Sequence, residues 1–286
     1  MSARDVVTAD GVRIHIREVG DGPGVLLIHG WSLSGEVWDR QIRVLAEGGH
    51  RVVAMDMRGH GLSDAPLDGY DIGTLTADAE TVIEQRGLGP AAIVGWSLGG
   101  MVGLRLARRR PDLVRALVLV ASNGVAASRF DSFPFGVPAE APLSSILAGE
   151  HAHRVSLRRS AVGDPFKDTP DPHVLDWLHR VSLQTPSWAG GAAMRTLMCT
   201  EQTDLLDGLE VPVTQIVGTA DPALSLRGAR WLQARLGSVL IELDCGHYPM
   251  LERADEFDDA LTGALTGLPT ANPEVNGADA MSGHQV

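Results

Sequence analysis

Short, almost wholly apolar runs at residues 25–28, 52–55, 91–94, 116–120, 213–217 and 239–243 limit the folds open to this chain more than any other feature. They are too apolar for strands with one wet face. They suit strands covered on both sides, which means a mostly parallel sheet sandwiched between helices. Helical periodicity over 37–47, 75–86, 98–110, 225–236 and 255–265 falls between most of them. Such alternation predicts a doubly wound α/β fold. Residues 12–17 alternate apolar and polar, as an edge strand does, and should pair with Val6-Val7 through the Asp10-Gly11 turn.

The alternation breaks once. Residues 123–210 carry helical stretches and many prolines but no convincing strand, and they are too long for a loop. The expected organisation is a core in two parts, 1–122 and 211–266, separated by a helical lid at 123–210. The Gly-, Pro- and Asn-containing tail, 267–286, is expected to be disordered.

A chain of 286 residues can bury such a core, and its formal net charge of −12 argues against nucleic acid or anionic membrane as a partner. The cluster Arg105, Arg108, Arg109, Arg110 and Arg115 reads as a solvated helix end. Met1-Ser2-Ala3-Arg4-Asp5 lacks the apolar core of a signal peptide, and no apolar run approaches the roughly 20 residues of a membrane span. Two cysteines make no disulfide framework. A cytoplasmic setting is the expectation. His151-Ala152-His153 has no third ligand nearby, so no metal or other cofactor is expected.

Chemistry enters with Gly95-Trp96-Ser97-Leu98-Gly99, placed between an apolar run and a helical pattern. Strand, G-x-S-x-G and helix describe a nucleophile elbow, a turn so tight that the flanking glycines leave room where a Cβ would collide. A serine hydroxyl is a poor nucleophile until a base accepts its proton. That base needs a histidine held by a carboxylate, in the chain order Ser, acid, His. Of ten histidines, His247 directly follows the last strand-like run, whereas His50, His151, His153, His173, His179 and His284 have no strand to aim them. Asp221, just past the run at 213–217, is the favoured acid. Asp56 is its rival, because it too follows a strand. The oxyanion donors expected are the backbone N–H groups of Leu98 and of Trp31, on the His29-Gly30-Trp31-Ser32 loop. His29 precedes the turn and reads as structural.

With these residues the chain resembles the α/β-hydrolase fold over roughly 10–122 and 208–266. The resemblance rests on His29-Gly30-Trp31, Asp56-Met57-Arg58-Gly59-His60-Gly61-Leu62-Ser63-Asp64, Gly95-Trp96-Ser97-Leu98-Gly99-Gly100, Asp221, and Gly246-His247 with Pro249. It implies an eight-stranded sheet, a Ser97–Asp221–His247 triad and a helical lid, and it makes the Asp56 stretch a turn rather than a participant. The elbow is similar to those of small carboxylesterases and of cofactor-free haloperoxidases, or perhydrolases. Peroxidase-like members often carry Pro where this chain has Ser32, and their lids tend to be shorter. Serine as nucleophile separates the chain from dehalogenases and epoxide hydrolases of this fold.

The resulting expectation is hydrolysis of a small or medium apolar ester or lactone. C–C bond hydrolysis, perhydrolysis and a ligand-sensing non-enzyme are the alternatives. Trp96, Met101, Phe133, Trp177, Trp188 and Met250 are candidates to line the substrate pocket. Arg154, Arg158, Arg159 and Arg180 read as solvated helix faces. Oligomeric state has no signature in the sequence.

Overall fold

The computed structural model describes residues 2, 3 and 5–266. The tail expected to be disordered lies outside the described residues. In chain order the strands are β1 (Ser2–Ala3), β2 (Val6–Val7), β3 (Arg13–Ile14), β4 (Ile16–Val19), β5 (Gly24–Ile28), β6 (Arg51–Met55), β7 (Ala91–Trp96), β8 (Val114–Val120), β9 (Val213–Gly218) and β10 (Val239–Leu243). The helices are α1 (Asp39–Glu47), α2 (Ile72–Arg86), α3 (Leu98–Arg109), α4 (Glu140–Ala152), α5 (Arg154–Gly163), α6 (Pro172–Ser182), α7 (Ser187–Cys199), α8 (Leu226–Leu236), α9 (Pro249–Glu252) and α10 (Ala254–Leu265).

Eight strands form one sheet in the order β1-β4-β6-β5-β7-β8-β9-β10. From β6 to β10 neighbouring strands run parallel, while β1 and β4 add an antiparallel edge. The hairpin expected at the start forms separately, with Val6 opposite Ile14 and Val7 opposite Arg13.

Alternate residues of the apolar strands feed two different cores. Leu26, Ile28 and Ile93 pack with Leu75, Val82 and Val102 from α2 and α3. Val25, Leu27, Ala92 and Val94 pack with Ile42, Leu45, Phe257 and Leu261 from α1 and α10. Side chains on a strand alternate between faces, so a strand buried on both has no polar position. That is why these runs read as continuous apolar stretches. Helix α2 begins at Ile72 rather than near Leu75, because the Asp71 carboxylate accepts the Thr74 N–H as its N-cap.

Between β8 and β9 the chain builds α4 to α7 and no strand. Parallel strands all end at one edge of the sheet, and that edge receives the segments following β7, β8, β9 and β10. Among the described residues no helix is long and apolar enough to cross a membrane.

Candidate active site

At the end of β7, Ser97 takes φ 53° and ψ −115°. This left-handed backbone is uncommon for a residue with a Cβ. The flanking sequence makes it attainable. A Cβ on Gly95 would lie 2.3 Å from the Gly99 carbonyl oxygen, and one on Gly99 would lie 2.4 Å from that of Ile28. Neighbouring backbone then fixes the turn. Ser97 N–H donates to Val120 O at 3.0 Å, and Ser97 O accepts from Gly100 N–H at 3.0 Å and Ser122 Oγ at 2.8 Å. Leu98 opens α3, so its N–H belongs to the first turn, which has no intrahelical acceptor. Helix N-termini favour negative charge.

Asp221 follows β9 and His247 follows β10. The Asp221 Oδ1 accepts the N–H groups of Ala223 (2.8 Å) and Leu224 (2.9 Å), while Oδ2 lies 2.7 Å from His247 Nδ1. The Asp221 side chain is 1% exposed and that of His247 10%. A carboxylate accepts, so Nδ1 is the donor in this bond. Nε2 has no hydrogen bond to any described residue, Ser97 Oγ included, although both residues line the same cavity. Such bonds are often loose until a substrate tightens them.

The sequence reading missed the groups that hold His247. Its N–H donates to Pro165 O at 2.9 Å, and its carbonyl accepts the Trp96 indole N–H at 2.9 Å. Glu252 accepts three backbone N–H groups, from Gly246 (3.0 Å), Tyr248 (3.1 Å) and Lys167 (2.9 Å). One carboxylate thus ties the His247 loop to the inserted segment. Tyr248-Pro249-x-x-Glu252 carried a signal, since Pro at a first helical position with Glu a few residues on marks a helix start.

The rival candidates are occupied elsewhere. Asp56 accepts the N–H groups of Gly35 (2.7 Å) and Leu62 (2.9 Å) from a fully buried position. His29 Nε2 accepts the Met57 N–H at 2.9 Å, which leaves Nδ1 to donate to Gly30 O at 2.7 Å. Burial lowers the His29 pKa from 6.5 to about 4 and that of neighbouring His60 to about 3. Both stay neutral in the folded chain while the unfolded chain can protonate them. Stability is therefore full above about pH 6.5 and falls as pH drops from 6.5 toward 4. Each histidine should cost about 1.4 kcal/mol per pH unit in that window. Urea unfolding at pH 7, 6 and 5 measures this, and a flat midpoint would refute it.

The cavity over this edge measures about 390 Å³. Trp31, Trp96 and Met101 line it, together with Met194, Leu197 and Met198 of α7 and Ile146 of α4. Four candidates lie outside its lining. Phe133 is buried in the core against Phe135 and Trp231, with ring centroids 5.0 and 5.6 Å away. The Trp177 indole donates to Glu36 at 2.6 Å. Trp188, 46% exposed, donates to Pro66 O at 3.1 Å, and Met250 is 1% exposed within the α10-side core. Those aromatics pack the insertion onto its surroundings. The apolar wall comes instead from an i, i+3, i+4 stripe on α7, which helical periodicity could have picked out.

Arg158 also departs from expectation. Its side chain is fully buried, ion-paired with Glu150, and its Nη1 donates to the Ser182 carbonyl at 3.2 Å. Its guanidinium stacks 4.6 Å from the Trp31 ring centroid, and the Trp31 indole donates to Gly190 O at 2.8 Å. Beside Trp31, a Cβ on Gly30 would be 3.1 Å from Ser97 Cβ. The loop expected to donate the second N–H therefore passes directly next to the serine.

Among the described residues no cluster of three or more His, Cys, Asp or Glu side chains could hold a metal ion. The model of the alpha/beta hydrolase family matches residues 25–260. A pimeloyl-[acyl-carrier protein] methyl ester esterase of Nitrosomonas europaea is 32% identical over 251 residues, spanning 85% of this chain and 96% of its own. A non-heme chloroperoxidase of Streptomyces lividans is 32% identical over 245 residues, spanning 81% of this chain and 87% of its own. An esterase from Exiguobacterium antarcticum superposes with a TM-score of 0.88 at 24% identity, covering 92% of this chain and 98% of that one, a likeness of fold. The chain belongs to the alpha/beta hydrolase family and is a hydrolase enzyme.

Proposed function

We propose that the enzyme cleaves small or medium carboxylic esters or lactones through an acyl-enzyme on Ser97. The observation that carries this reading is the His247–Asp221 pair at 2.7 Å, opening onto the cavity that Ser97 lines from a strained turn. In the first step Ser97 Oγ attacks the substrate carbonyl and its proton passes to His247 Nε2. Asp221 holds the tautomer and stabilises the imidazolium. The N–H groups of Leu98 and Trp31 receive the oxyanion. The C–O bond then breaks, the alcohol leaves with the proton from Nε2, and the acyl group stays on Oγ. Water, deprotonated by Nε2, attacks that acyl group, and the acid departs as Oγ regains its proton.

Residues 123–210 act as the lid in this scheme, with α4 and α7 supplying much of the apolar wall. Trp96 and Met101 bind substrate from the core side. A small, largely apolar ester fits such a site, and the relative named as a methyl ester esterase supports ester chemistry. Free Cys199 and Cys245 fit a cytoplasmic setting. The experiment is fluorophosphonate labelling beside turnover of short and medium chromogenic esters. Labelling with turnover supports the proposal, and an inert protein contradicts it.

A second reading draws on a relative named as a non-heme chloroperoxidase. Peroxide would replace water as acyl acceptor and release a peracid. Ester turnover with and without peroxide, followed by halogenation of a reporter, separates the two. Ser32 favours water, because it stands where peroxidase-like members often carry Pro.

A further inference from the structure

One polar side chain on the cavity wall has no role in the acyl transfer. Asn123 follows β8 at the same sheet edge as Ser97, two positions beyond Ala121, and it lines the cavity. It is 4% exposed, and its Oδ1 is buried without a hydrogen-bond partner. Neither end of its carboxamide bonds to a described residue, although its backbone carbonyl accepts the Val125 N–H at 2.8 Å. Its neighbour Ser122 differs in this respect. Ser122 Oγ donates to Ser97 O at 2.8 Å and accepts the Gly124 N–H at 3.1 Å, so its capacity is used.

Packing positions the amide without satisfying it. A Cβ on Gly228 would lie 3.1 Å from Asn123 Nδ2. The side chain therefore lies against the first turn of α8, just after Leu224, which also lines the cavity. Apolar side chains form much of the cavity that it lines, Met101, Ala126 and Ala127 among them. A buried amide oxygen with no partner is costly, and native interiors satisfy such groups almost without exception. A donor on a molecule entering the cavity can satisfy that oxygen in place of solvent.

Resting on the esterase reading, we infer that Asn123 is a substrate-recognising residue, and that the preferred esters carry a hydrogen-bond donor, a hydroxyl, on the acyl part. A plain hydrocarbon acyl group would fill the same space and leave the amide unpaired. Sites built to bond a polar group discriminate against analogues lacking it far more than apolar pockets discriminate by size.

The test compares methyl butyrate with methyl 3-hydroxybutyrate and methyl 4-hydroxybutyrate by pH-stat, with kcat/KM expressed per fluorophosphonate-titrated serine. For the wild type, at least one hydroxy ester should exceed the plain ester by about 10- to 100-fold. In Asn123→Leu and Asn123→Ala that ratio should fall toward one. Normalising to titrated serine removes any misfolded fraction from the comparison. Turnover of all three esters without preference overturns this inference and leaves the esterase reading standing, as does a ratio unchanged in both variants. Absence of turnover on all three esters overturns this inference, and absence of fluorophosphonate labelling and chromogenic-ester turnover as well overturns both.

Discussion

Ser97→Ala is expected to lower kcat for a cleaved ester by at least about 10⁴-fold and to abolish fluorophosphonate labelling, with the fold intact. Under the proposed mechanism, the size of the loss follows from removing the atom that forms the covalent bond, since His247 and Asp221 then have no alcohol to activate. Conservation of the fold follows from the local geometry. Every hydrogen bond that fixes Ser97 uses its main chain, to Val120, Gly100 and Ser122. Alanine keeps all of them, and its Cβ occupies a space that the serine Cβ already fills at φ 53°. Thermal unfolding should therefore match the wild type while activity disappears. Substantial ester turnover by rigorously purified Ser97→Ala would remove the serine from the mechanism.

Arg158→Met should destabilise the fold by about 3 kcal/mol or more, because it strips the buried Glu150 of its hydrogen-bonded partner and leaves only the longer contact to Arg154. The side chains of Arg158 and Glu150 are 0% and 4% exposed, so solvent screens neither. Burial pulls the Arg158 pKa below the ordinary arginine value, against the opposing pull of Glu150. The pair is thus held at a desolvation cost that only both partners together offset. Arg154, 3.7 Å from Glu150 Oε2, softens the loss without cancelling it. The double variant Arg158→Met, Glu150→Leu should recover most of the stability, since apolar replacement of a buried pair is often neutral or better. Urea unfolding of both variants checks this. A single variant within about 1 kcal/mol of wild type would mean that the charges are not sealed from water as the geometry indicates.

Much of the architecture was legible because period and composition report on burial. Runs such as 25–28 and 91–94 are apolar at every position since both faces of their strands meet helices. The positions of Ser97, Asp221 and His247 were readable for a related reason: parallel strands deliver their succeeding loops to one edge. The lining was less legible. Helix periodicity tells which residues share a face, but not which way that face turns once helices pack on one another. Phe133 and Trp177 thus drew attention as bulky aromatics and proved to be packing groups, whereas Met194 and Met198 form the wall. Arg158 was misread because its partner sits eight positions earlier, on a different helix. No spacing rule within a single helix joins them. Asn123 had no sequence signal at all, since an unpaired amide becomes visible only when its surroundings are known.

The Asp221 carboxylate binds the N–H groups of Ala223 and Leu224, and those residues, with Pro222, also form part of the cavity lining. Under the proposed mechanism, a change there that reshapes the chamber also tilts the acid. Ile146, Met194 and Leu197 line the same cavity from α4 and α7 and take no part in the hydrogen bonds that hold Asp221 and His247. Under the same proposal, drift in substrate size can accumulate on the α4 and α7 side at little catalytic penalty, while the stretch after β9 is constrained by its bonds to Asp221. A library for altered acyl-chain length belongs on those helices.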